Sequence, residues 1–415
     1  MKYYILLALA LLFTHSACNS QNGVKNRQDV KDKTNTSASA GSVETLPPNS
    51  DHQPAFIGQT RINAVSTATP YTSEVRAKDL GRPWGIIEMP DGNLLITEKS
   101  GFMQMYSKTG QLVKKITGFP TVDNDGQGGL LDVALDPDYK INQTIYWSYS
   151  LPQDGGKNQT AVGKGRLNIQ AGKIENPRLI FKADPAFKSN LHFGSRLVFD
   201  SDGNLFVSSG ERSHLDGRMQ AQKLSSGLGK IFKITREGKP APGNPFLNTP
   251  DAKPEIYAYG IRNAQGLAIH PVTGDLWELE FGPRGGDEIN IIRAGKDYGW
   301  PTITYGIEYS GKEIGKNITQ APGMEQPIYY WDPVISPSGI SFYTSDQIPE
   351  WKNNLFIGCL SGQHIDRIVL NGNKVVGEER LLANEGERFR DVLCSPDGHI
   401  YAVTDSGKLY VVSKK

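Results

Sequence analysis

One turn-and-strand pattern recurs along most of the chain. In each copy a short polar turn, often containing Asp, Gly, Pro or Asn, leads into an apolar run typical of a buried β-strand. The copies follow one another at irregular intervals of about 45 to 80 residues. Four copies are strong and two are weaker; they occupy 89–97, 199–207, 270–277 and 394–402, and 136–147 and 351–357.

This repeat predicts an all-β fold. Units that contain β-strands and recur at such intervals are typical of propellers, so we expect a six-bladed β-propeller of four-stranded antiparallel blades. Sustained helical periodicity is lacking in the mature sequence, and 45 glycines with 25 prolines suit many turns. An array of β-sandwiches is the alternative, but it does not explain six copies of one unit.

The N-terminus has the pattern of an export signal. Lys2 precedes the apolar run Ile5–Phe13, which is too short to span a bilayer as a mature helix. Ser16 and Ala17 then lead to Cys18, an arrangement similar to a lipoprotein signal. Ordinary cleavage near Ala17 is the alternative, and it would leave a soluble secreted protein.

Composition divides the chain into three parts. We expect a signal peptide at 1–17, a flexible polar tether at 18–54 lipidated at Cys18, and the propeller at 55–415. This organisation predicts an exported protein, periplasmic or held in the cell envelope as a lipoprotein. Membrane contact would occur only through the lipid anchor.

Charge and cysteine content argue against nucleic-acid binding and against a zinc site. The chain has 45 Lys and Arg against 44 Asp and Glu, so no basic excess indicates nucleic-acid binding. Cys359 and Cys394 could pair as a disulfide in an oxidising compartment or remain buried free thiols. Because the sequence has no CxxC and no Cys/His cluster, a zinc site is not expected.

Four charged residues beside predicted strands are candidates for chemistry. His192 lies just before a strand and can take a proton near neutral pH, although many loop histidines are inert. Arg262 lies between two apolar stretches and should meet a protein carboxylate or an anionic ligand. Arg388 and Arg390 alternate on one strand face and suit a polycarboxylate cofactor; a solvated surface pair is the alternative.

A Gly-rich acidic stretch at 281–290, followed by 296–301, offers carbonyl and carboxylate oxygens suited to calcium, although an ordinary loop is the alternative. The sequence contains no nucleophile elbow, P-loop, dinucleotide glycine fingerprint or HExxH helix. Nicotinamide and ATP chemistry are therefore disfavoured.

Seven short motifs, taken in order from residue 75 to the C-terminus, resemble those of the glucose/sorbosone dehydrogenases that use pyrroloquinoline quinone (PQQ). The closest resemblance is to the aldose sugar dehydrogenases. It implies a six-bladed propeller that oxidises aldoses with PQQ and Ca²⁺. The motifs are Arg82–Gly85, Gly126–Leu131, His192–Leu197, Arg262–Leu267, Gly282–Asn290, Tyr298–Pro301 and Arg388–Val392.

The resemblance also implies residue roles. His192 would be the catalytic base for the anomeric hydroxyl, with Arg262 beside the reacting quinone. Residues implied in binding the cofactor and lining its pocket are Gln127, Arg262, Asn263, Trp331, Arg388 and Arg390. Residues implied in binding calcium are Gly282 and Pro283, through carbonyls at the PQQ-bound ion, and Glu288 and Tyr298 at a second, structural ion.

Two positions depart from the family pattern. Ser361 stands where some relatives place a lysine that reaches PQQ, and His364 or another group would have to replace that cation. Leu191 stands where some members have an acid that contacts the sugar. The long loops of dimeric glucose dehydrogenases are short here, which favours a monomer with broad aldose specificity.

The expected partners are an aldose substrate and an external electron acceptor, since no haem-attachment CxxCH is present. Two other functions remain open. A calcium-dependent propeller lactonase would share calcium and a histidine base, but it would not need Arg388 and Arg390. A non-catalytic sugar-binding propeller would need neither His192 nor Arg262.

Overall fold

The computed structural model describes residues 41–415. They form six four-stranded antiparallel sheets arranged as blades around a central channel. The first strand of each blade contacts the first strand of the next blade, and the contacts close into a ring. The predicted six-bladed propeller is confirmed, and the sandwich alternative is wrong.

The blades follow one another around the ring in the order of the chain. The exception is the first strand of the chain, which joins the last three strands and completes blade 6. That strand is β1 (Tyr71–Ala77). Blade 1 contains β2 (Pro83–Glu88), β3 (Leu94–Glu98), β4 (Phe102–Tyr106) and β5 (Leu112–Ile116). Blade 2 contains β6 (Leu130–Leu135), β7 (Thr144–Gln153), β8 (Lys157–Asn168) and β9 (Lys173–Lys182). Blade 3 contains β10 (Leu197–Phe199), β11 (Leu205–Ser209), β12 (Lys230–Ile234) and β13 (Ile256–Tyr259).

The second half of the ring repeats this arrangement. Blade 4 contains β14 (Ala264–Ile269), β15 (Leu276–Glu280), β16 (Asp287–Ile292) and β17 (Tyr329–Trp331). Blade 5 contains β18 (Pro337–Phe342), β19 (Leu355–Cys359), β20 (Ile365–Asn371) and β21 (Lys374–Leu381). Blade 6 contains β22 (Phe389–Cys394), β23 (Ile400–Thr404) and β24 (Leu409–Lys414), with β1 as its outer strand.

Helical structure in the described residues is confined to short connections. The α-helices are α1 (Tyr139–Asn142) and α2 (Leu215–Arg218). The 3₁₀ turns are Asp154–Gly156, Met219–Gln222, Pro349–Trp351 and Ala383–Glu385.

Each predicted turn-and-strand unit is the link between the first and second strands of one blade. The unit at 89–97, for example, joins β2 to β3, and the unit at 394–402 joins β22 to β23. Gly92 and Gly398 have φ values of 84° and 93°, as the sequence predicts for these tight turns. The repeat therefore counted the blades correctly.

The apolar core is divided among the blade interfaces. Six main clusters of buried side chains each join two neighbouring blades, including the pair that closes the ring. Trp147, for example, is fully buried between blades 1 and 2 and makes an edge contact with Phe119 at 5.1 Å. Close packing at every interface fixes the inner strand ends, which surround the channel.

The ring is closed by the chain ends. Strand β1 pairs antiparallel with β24, and Tyr71 lies opposite Lys414. Upstream of β1, the backbone N–H of Asn49 and of Ser50 donate to the Asp332 carboxylate. Asn49 and Ser50, expected to belong to the flexible tether, therefore contact the propeller; the domain boundary at 54 stays a prediction.

The signal peptide at 1–17, Cys18 and the tether up to residue 40 lie outside the described residues. Within 41–415 no helix is both long enough and apolar enough to cross a membrane. Cys359 and Cys394 are buried free thiols rather than a disulfide.

Candidate active site

One end of the central channel opens into a cavity of about 450 Å³. All six blades contribute to its wall. Most lining residues precede or begin a first strand or directly follow a second strand, and Tyr309 comes from the connection between β16 and β17. The lining residues that carry the chemical argument are Arg82, Lys99, Gln127, His192, Arg388, Arg390 and Asp405.

His192 is paired with a buried carboxylate. Its Nδ1 lies 2.6 Å from Oε1 of Glu211, and both side chains are almost fully buried. Although burial raises the pKa of Glu211, its bonds with His192 and Ser213 hold that pKa below the ordinary value. The ionised Glu211 therefore accepts the Nδ1 proton, which leaves the lone pair on Nε2.

The imidazole of His192 is neutral near pH 7. Burial lowers the pKa of His192 to about 4, the charge of Arg262 acts in the same direction, and Glu211 opposes both. A neutral ring with a free Nε2 at the cavity wall is the form that a general base requires.

An unusual backbone conformation presents His192 to the cavity. His192, Gly194 and Ser195 all have positive φ, at 48°, 63° and 80°. The loop is held by side chains: the N–H of His192 donates to Oε1 of Gln127 at 2.8 Å, and the N–H of Gly194 donates to Oδ1 of Asn263 at 3.0 Å. Gln127 and Asn263 thus position the base.

Arg388 and Arg390 lie side by side, as their alternation in the sequence predicts. Both line the cavity and both donate to one carboxylate: Nε of Arg388 lies 2.9 Å from Oδ2 of Asp405, and Nε of Arg390 lies 3.0 Å from Oδ1. One carboxylate balances only one of the two guanidinium charges. The pair therefore retains positive charge toward the cavity.

Two further cations line the same wall. Nζ of Lys99 and Nη2 of Arg82 both donate to the carbonyl of Gly126, at 2.6 and 3.1 Å. Burial, together with the charges of Arg82 and Arg390, lowers the pKa of Lys99 to about 8. Four cations and one carboxylate among the lining residues make this cavity a strong attractor for an anion.

Arg262 is buried next to the cavity. Its Nη1 donates to the carbonyls of Phe281 and Gly282 at 2.8 and 2.7 Å. The backbone N–H groups of Arg262 and Asn263 donate to Oε2 of Glu280. In the described part of the chain, Nε of Arg262 and Nδ2 of Asn263 have no hydrogen-bond partner, although both are buried.

The four residues expected to bind calcium share one narrow cleft. Gly282, Pro283, Glu288 and Tyr298 line it together with Glu280. Glu280 and Glu288 are directly opposed on β15 and β16, and burial raises the pKa of Glu280 to about 7. The Tyr298 hydroxyl is engaged, since it donates to Ile291 O and accepts from Arg293 N.

Beneath the cavity a buried ion network ties three blades together. Nη1 of Arg196 lies 2.9 Å from Asp391 and 3.3 Å from Asp132. The guanidinium also stacks 4.1 Å from the ring centroid of Trp84, which lines the cavity. The network fixes the first strands of blades 2, 3 and 6 relative to one another.

Comparison with known proteins shows which family this chain belongs to. The sequence profile described as Glucose / Sorbosone dehydrogenase matches residues 80–411. The chain belongs to the glucose/sorbosone dehydrogenase family. It is 42% identical over 346 residues to the aldose sugar dehydrogenase YliI of Escherichia coli (strain K12), a match that covers 82% of this chain and 92% of that protein.

Solved structures agree with this family membership. The apo crystal structure of the soluble aldose sugar dehydrogenase from Escherichia coli superposes with a TM-score of 0.80 at 42% identity, covering 83% of this chain and all of that one. The PQQ-bound aldose sugar dehydrogenase from Streptomyces coelicolor gives a TM-score of 0.67 at 27% identity, covering 84% and 99%.

In this glucose/sorbosone dehydrogenase, Ser361 occupies the position where some relatives have a lysine that reaches PQQ. The Ser361 hydroxyl contacts that of Ser336 at 2.8 Å. His364 does not supply the missing charge, because it is buried outside the cavity lining and its Nδ1 bonds the carbonyl of Gly362. The lysine among the lining residues is Lys99, which directly follows β3 in blade 1, two blades away from Ser361 in blade 5.

The structure does not bring Trp331 to the cavity. It ends β17, the outermost strand of blade 4 and therefore the strand farthest from the channel. Its side chain packs with Tyr329 at 5.1 Å in the cluster between blades 4 and 5. Of the other expected cofactor residues, Gln127, Arg388 and Arg390 line the cavity, while Arg262 lines the adjoining cleft and Asn263 lies buried beside it.

Sequence reasoning did not single out Lys99, Glu211 or Asp405. Their positions in the fold share one feature that a sequence analysis could use. Each of the three residues lies one or two positions after the second strand of a blade, namely β3, β11 and β23. Second strands leave the blade at the same end of the ring where first strands enter. Polar residues at those exits are therefore candidates for the site.

Proposed function

We propose that this protein oxidises aldose sugars at the anomeric carbon to lactones, using PQQ and calcium, with His192 as the general base. The observation that carries the proposal is the neutral His192, paired with the ionised Glu211, in a cavity whose charged lining groups are four cations and one carboxylate. Family membership supports the dehydrogenase class, and a PQQ-bound relative supports the cofactor.

The cavity fits a flat cofactor with several carboxylates. Arg388 and Arg390 offer guanidinium groups that bind carboxylates bidentately, and Lys99 and Arg82 add positive charge from the neighbouring blade. Nδ2 of Asn263 and Nε of Arg262 have no hydrogen-bond partner among the described residues, but both are buried beside the cavity, so these side chains would have to move before they could donate to quinone oxygens. When bound, PQQ supplies an electrophilic quinone that accepts a hydride and its electron pair.

His192 performs the proton transfer. Its Nε2 accepts the proton of the anomeric hydroxyl, which raises electron density on the sugar carbon and promotes hydride departure. The imidazolium that forms is stabilised by Glu211 at 2.6 Å, so the charge does not remain isolated in a buried site. Gln127 and Asn263 keep the ring in place during the transfer.

Calcium would be held in the cleft beside the cavity. Carbonyl oxygens of Gly282 and Pro283 would hold one ion, and Glu288 and Tyr298 would hold a second, structural ion. Glu280 lines the same cleft, and oxygen donors of this kind are those that calcium prefers. Arg262 now donates to the Gly282 carbonyl, so an ion bound to that oxygen must share it with Arg262 or displace it. When bound, calcium supplies Lewis acidity.

Turnover would also need an external electron acceptor, because the two electrons taken from each sugar must leave the protein before the next sugar reacts. We infer export as well, from Lys2 and the apolar run Ile5–Phe13. A monomeric state and lipidation at Cys18 are parts of the same proposal.

PQQ titration of the purified apo-protein by calorimetry, followed by product analysis with glucose, tests this function. The proposal predicts PQQ binding that weakens when Arg390 is replaced by Gln, and lactone formation only when PQQ and calcium are both added. A protein that hydrolyses lactones with calcium alone and does not bind PQQ would instead be the lactonase.

A further inference from the structure

Blade 5 contains a buried cluster that the proposed reaction does not use. Cys359 ends β19, and His364 and Asp366 lie at the start of the neighbouring strand β20. The N–H of Cys359 donates to the carbonyl of His364 at 3.0 Å, and Asp366 lies opposite Ile357. Because opposed residues share a face, as do residues two apart, all three side chains point to the same side of the hairpin.

The potential metal-ligand atoms of these residues are close together and buried. A nitrogen of His364, the sulfur of Cys359 and a carboxylate oxygen of Asp366 all lie within 4.8 Å of one another. The exposed fraction of each residue is 1% or less. Nε2 of His364 has no hydrogen-bond partner among residues 41–415, whereas the buried carboxyl group of Asp366 interacts with the side chains of Glu378 and Trp331.

The second nitrogen of His364 is already fixed. Nδ1 lies 2.7 Å from the carbonyl of Gly362, which can only accept, so Nδ1 carries the proton and Nε2 carries the lone pair. A histidine that donates one N–H to a backbone carbonyl and offers the other nitrogen is the usual arrangement around protein-bound metals.

Charge around the cluster also favours a cation. Arg380 is the neighbouring positive group, and its Nη2 is divided between Glu44 at 2.9 Å and Glu378 at 3.4 Å. Glu378 in addition accepts from the Tyr329 hydroxyl at 2.7 Å. Asp366 is thus a third acidic group beside one shared guanidinium, and a divalent cation would supply the missing positive charge.

We propose that Cys359, His364 and Asp366 bind a divalent transition metal of the zinc class at a buried site with three protein ligands. Thiolate and imidazole ligands select such metals and disfavour calcium, which prefers oxygen. Ligand bonds of about 2.0 to 2.3 Å would bring the donor atoms slightly closer together than they are now. On binding, the Cys359 thiol releases its proton to solvent and the thiolate bonds to the metal.

Such a site would stabilise the turn between β19 and β20. Leu360, next to Cys359, lines the catalytic cavity, and Ser361 and Gly362 complete the same turn. The sequence did not predict a zinc site because it lacks CxxC and a Cys/His cluster of the usual spacing. The pairing of the two strands, rather than short spacing, assembles this one.

Metal analysis of the full protein, purified without chelators and loaded with zinc or with cobalt(II), tests the proposal. We expect one zinc per chain and, for the cobalt form, an absorption band from thiolate-to-cobalt charge transfer. Cys359→Ala should abolish that band and weaken zinc binding at least 10-fold. Asp366→Asn should also weaken zinc binding. Cys394→Ala, which removes the other buried free thiol outside the cluster, is the matched control and should leave both unchanged.

X-ray absorption at the zinc edge of the unaltered protein provides a second measurement that does not depend on variants folding. One sulfur ligand in the first coordination sphere supports the proposal. A wild-type protein that takes up neither zinc nor cobalt, or a bound metal without sulfur, overturns it. In the first case a proton shared by Asp366 and Glu378 would be the occupant of the cluster.

Discussion

Oε1 of Glu211 and Nδ1 of His192 lie 2.6 Å apart at the end of the propeller channel, with both side chains shielded from solvent. This contact decides which imidazole nitrogen carries the proton. It also provides the counter-charge for the imidazolium formed during turnover. The proposed chemistry therefore depends on two residues rather than on His192 alone.

Replacing Glu211 with Gln should lower kcat by at least about 100-fold, because the amide can hold the ring in the other tautomer and cannot stabilise imidazolium. PQQ affinity should change little, since Glu211 does not line the cofactor cavity. Steady-state kinetics with saturating PQQ measure the effect. Asp216→Asn, at an exposed carboxylate, is the control; equal losses in both variants would contradict the role of Glu211.

Lys99 should contribute to cofactor binding in place of the lysine absent at 361. Lys99→Met should raise the Kd for PQQ about 10-fold, equivalent to about 1.4 kcal/mol, because one positive group facing the cofactor carboxylates is lost. Fluorescence titration of the apo-protein measures this without turnover. Lys140→Met, on the surface helix α1, should not alter the Kd. An unchanged Kd for Lys99→Met would show that this lysine does not contact the cofactor.

The low pKa of His192 predicts acid sensitivity of the apo-protein. In the unfolded chain this ring takes up its proton near pH 6.5, but in the folded protein only near pH 4. Stability is therefore lost as pH falls through this window, and His192 should account for about 2 kcal/mol between pH 7 and 5. Urea unfolding at both pH values should show a smaller loss for His192→Gln than for wild type.

The control for this pH effect is His214→Gln, because His214 is about half exposed. It should show the same loss as wild type. Identical pH dependence in wild type and His192→Gln would mean that His192 is not buried in a neutral form.

The network beneath the cavity should be important for stability. Asp391→Ala leaves Arg196 with Asp132 as its single remaining carboxylate contact and removes the acceptor for the N–H of Ile86. Loss of one partner from a buried ion network costs about 3 to 5 kcal/mol. Urea unfolding should show this loss, whereas Asp202→Ala, at an exposed position in a turn, should be neutral. A neutral Asp391→Ala would indicate that the network is dispensable.

The propeller was predictable because its signal is local. The Asp91-Gly92 turn and the apolar strand after it are readable within nine residues, and six such units count the blades. The pairing of β1 with β24 was not predictable in this way, because it joins strands from opposite ends of the chain. Contacts made only after ring closure leave no short sequence pattern.

Only part of the candidate active site was predictable from the sequence. Arg388 and Arg390 were found from strand alternation, and the structure places them together on the cavity wall. Their partner Asp405 and the lysine at 99 come from other strands, so only the folded ring brings them near. Trp331 was inferred from resemblance alone, and its place on an outer strand keeps it away from the cavity.

Reconstitution of the purified apo-protein with PQQ and calcium, assayed by aldose-dependent reduction of an artificial electron acceptor, tests the central claim most directly. We expect turnover that requires both additions and falls to background in His192→Ala, while the variant still binds PQQ. Turnover that persists in His192→Ala would contradict the assignment of the base, and a protein that never binds PQQ would contradict the proposed function itself.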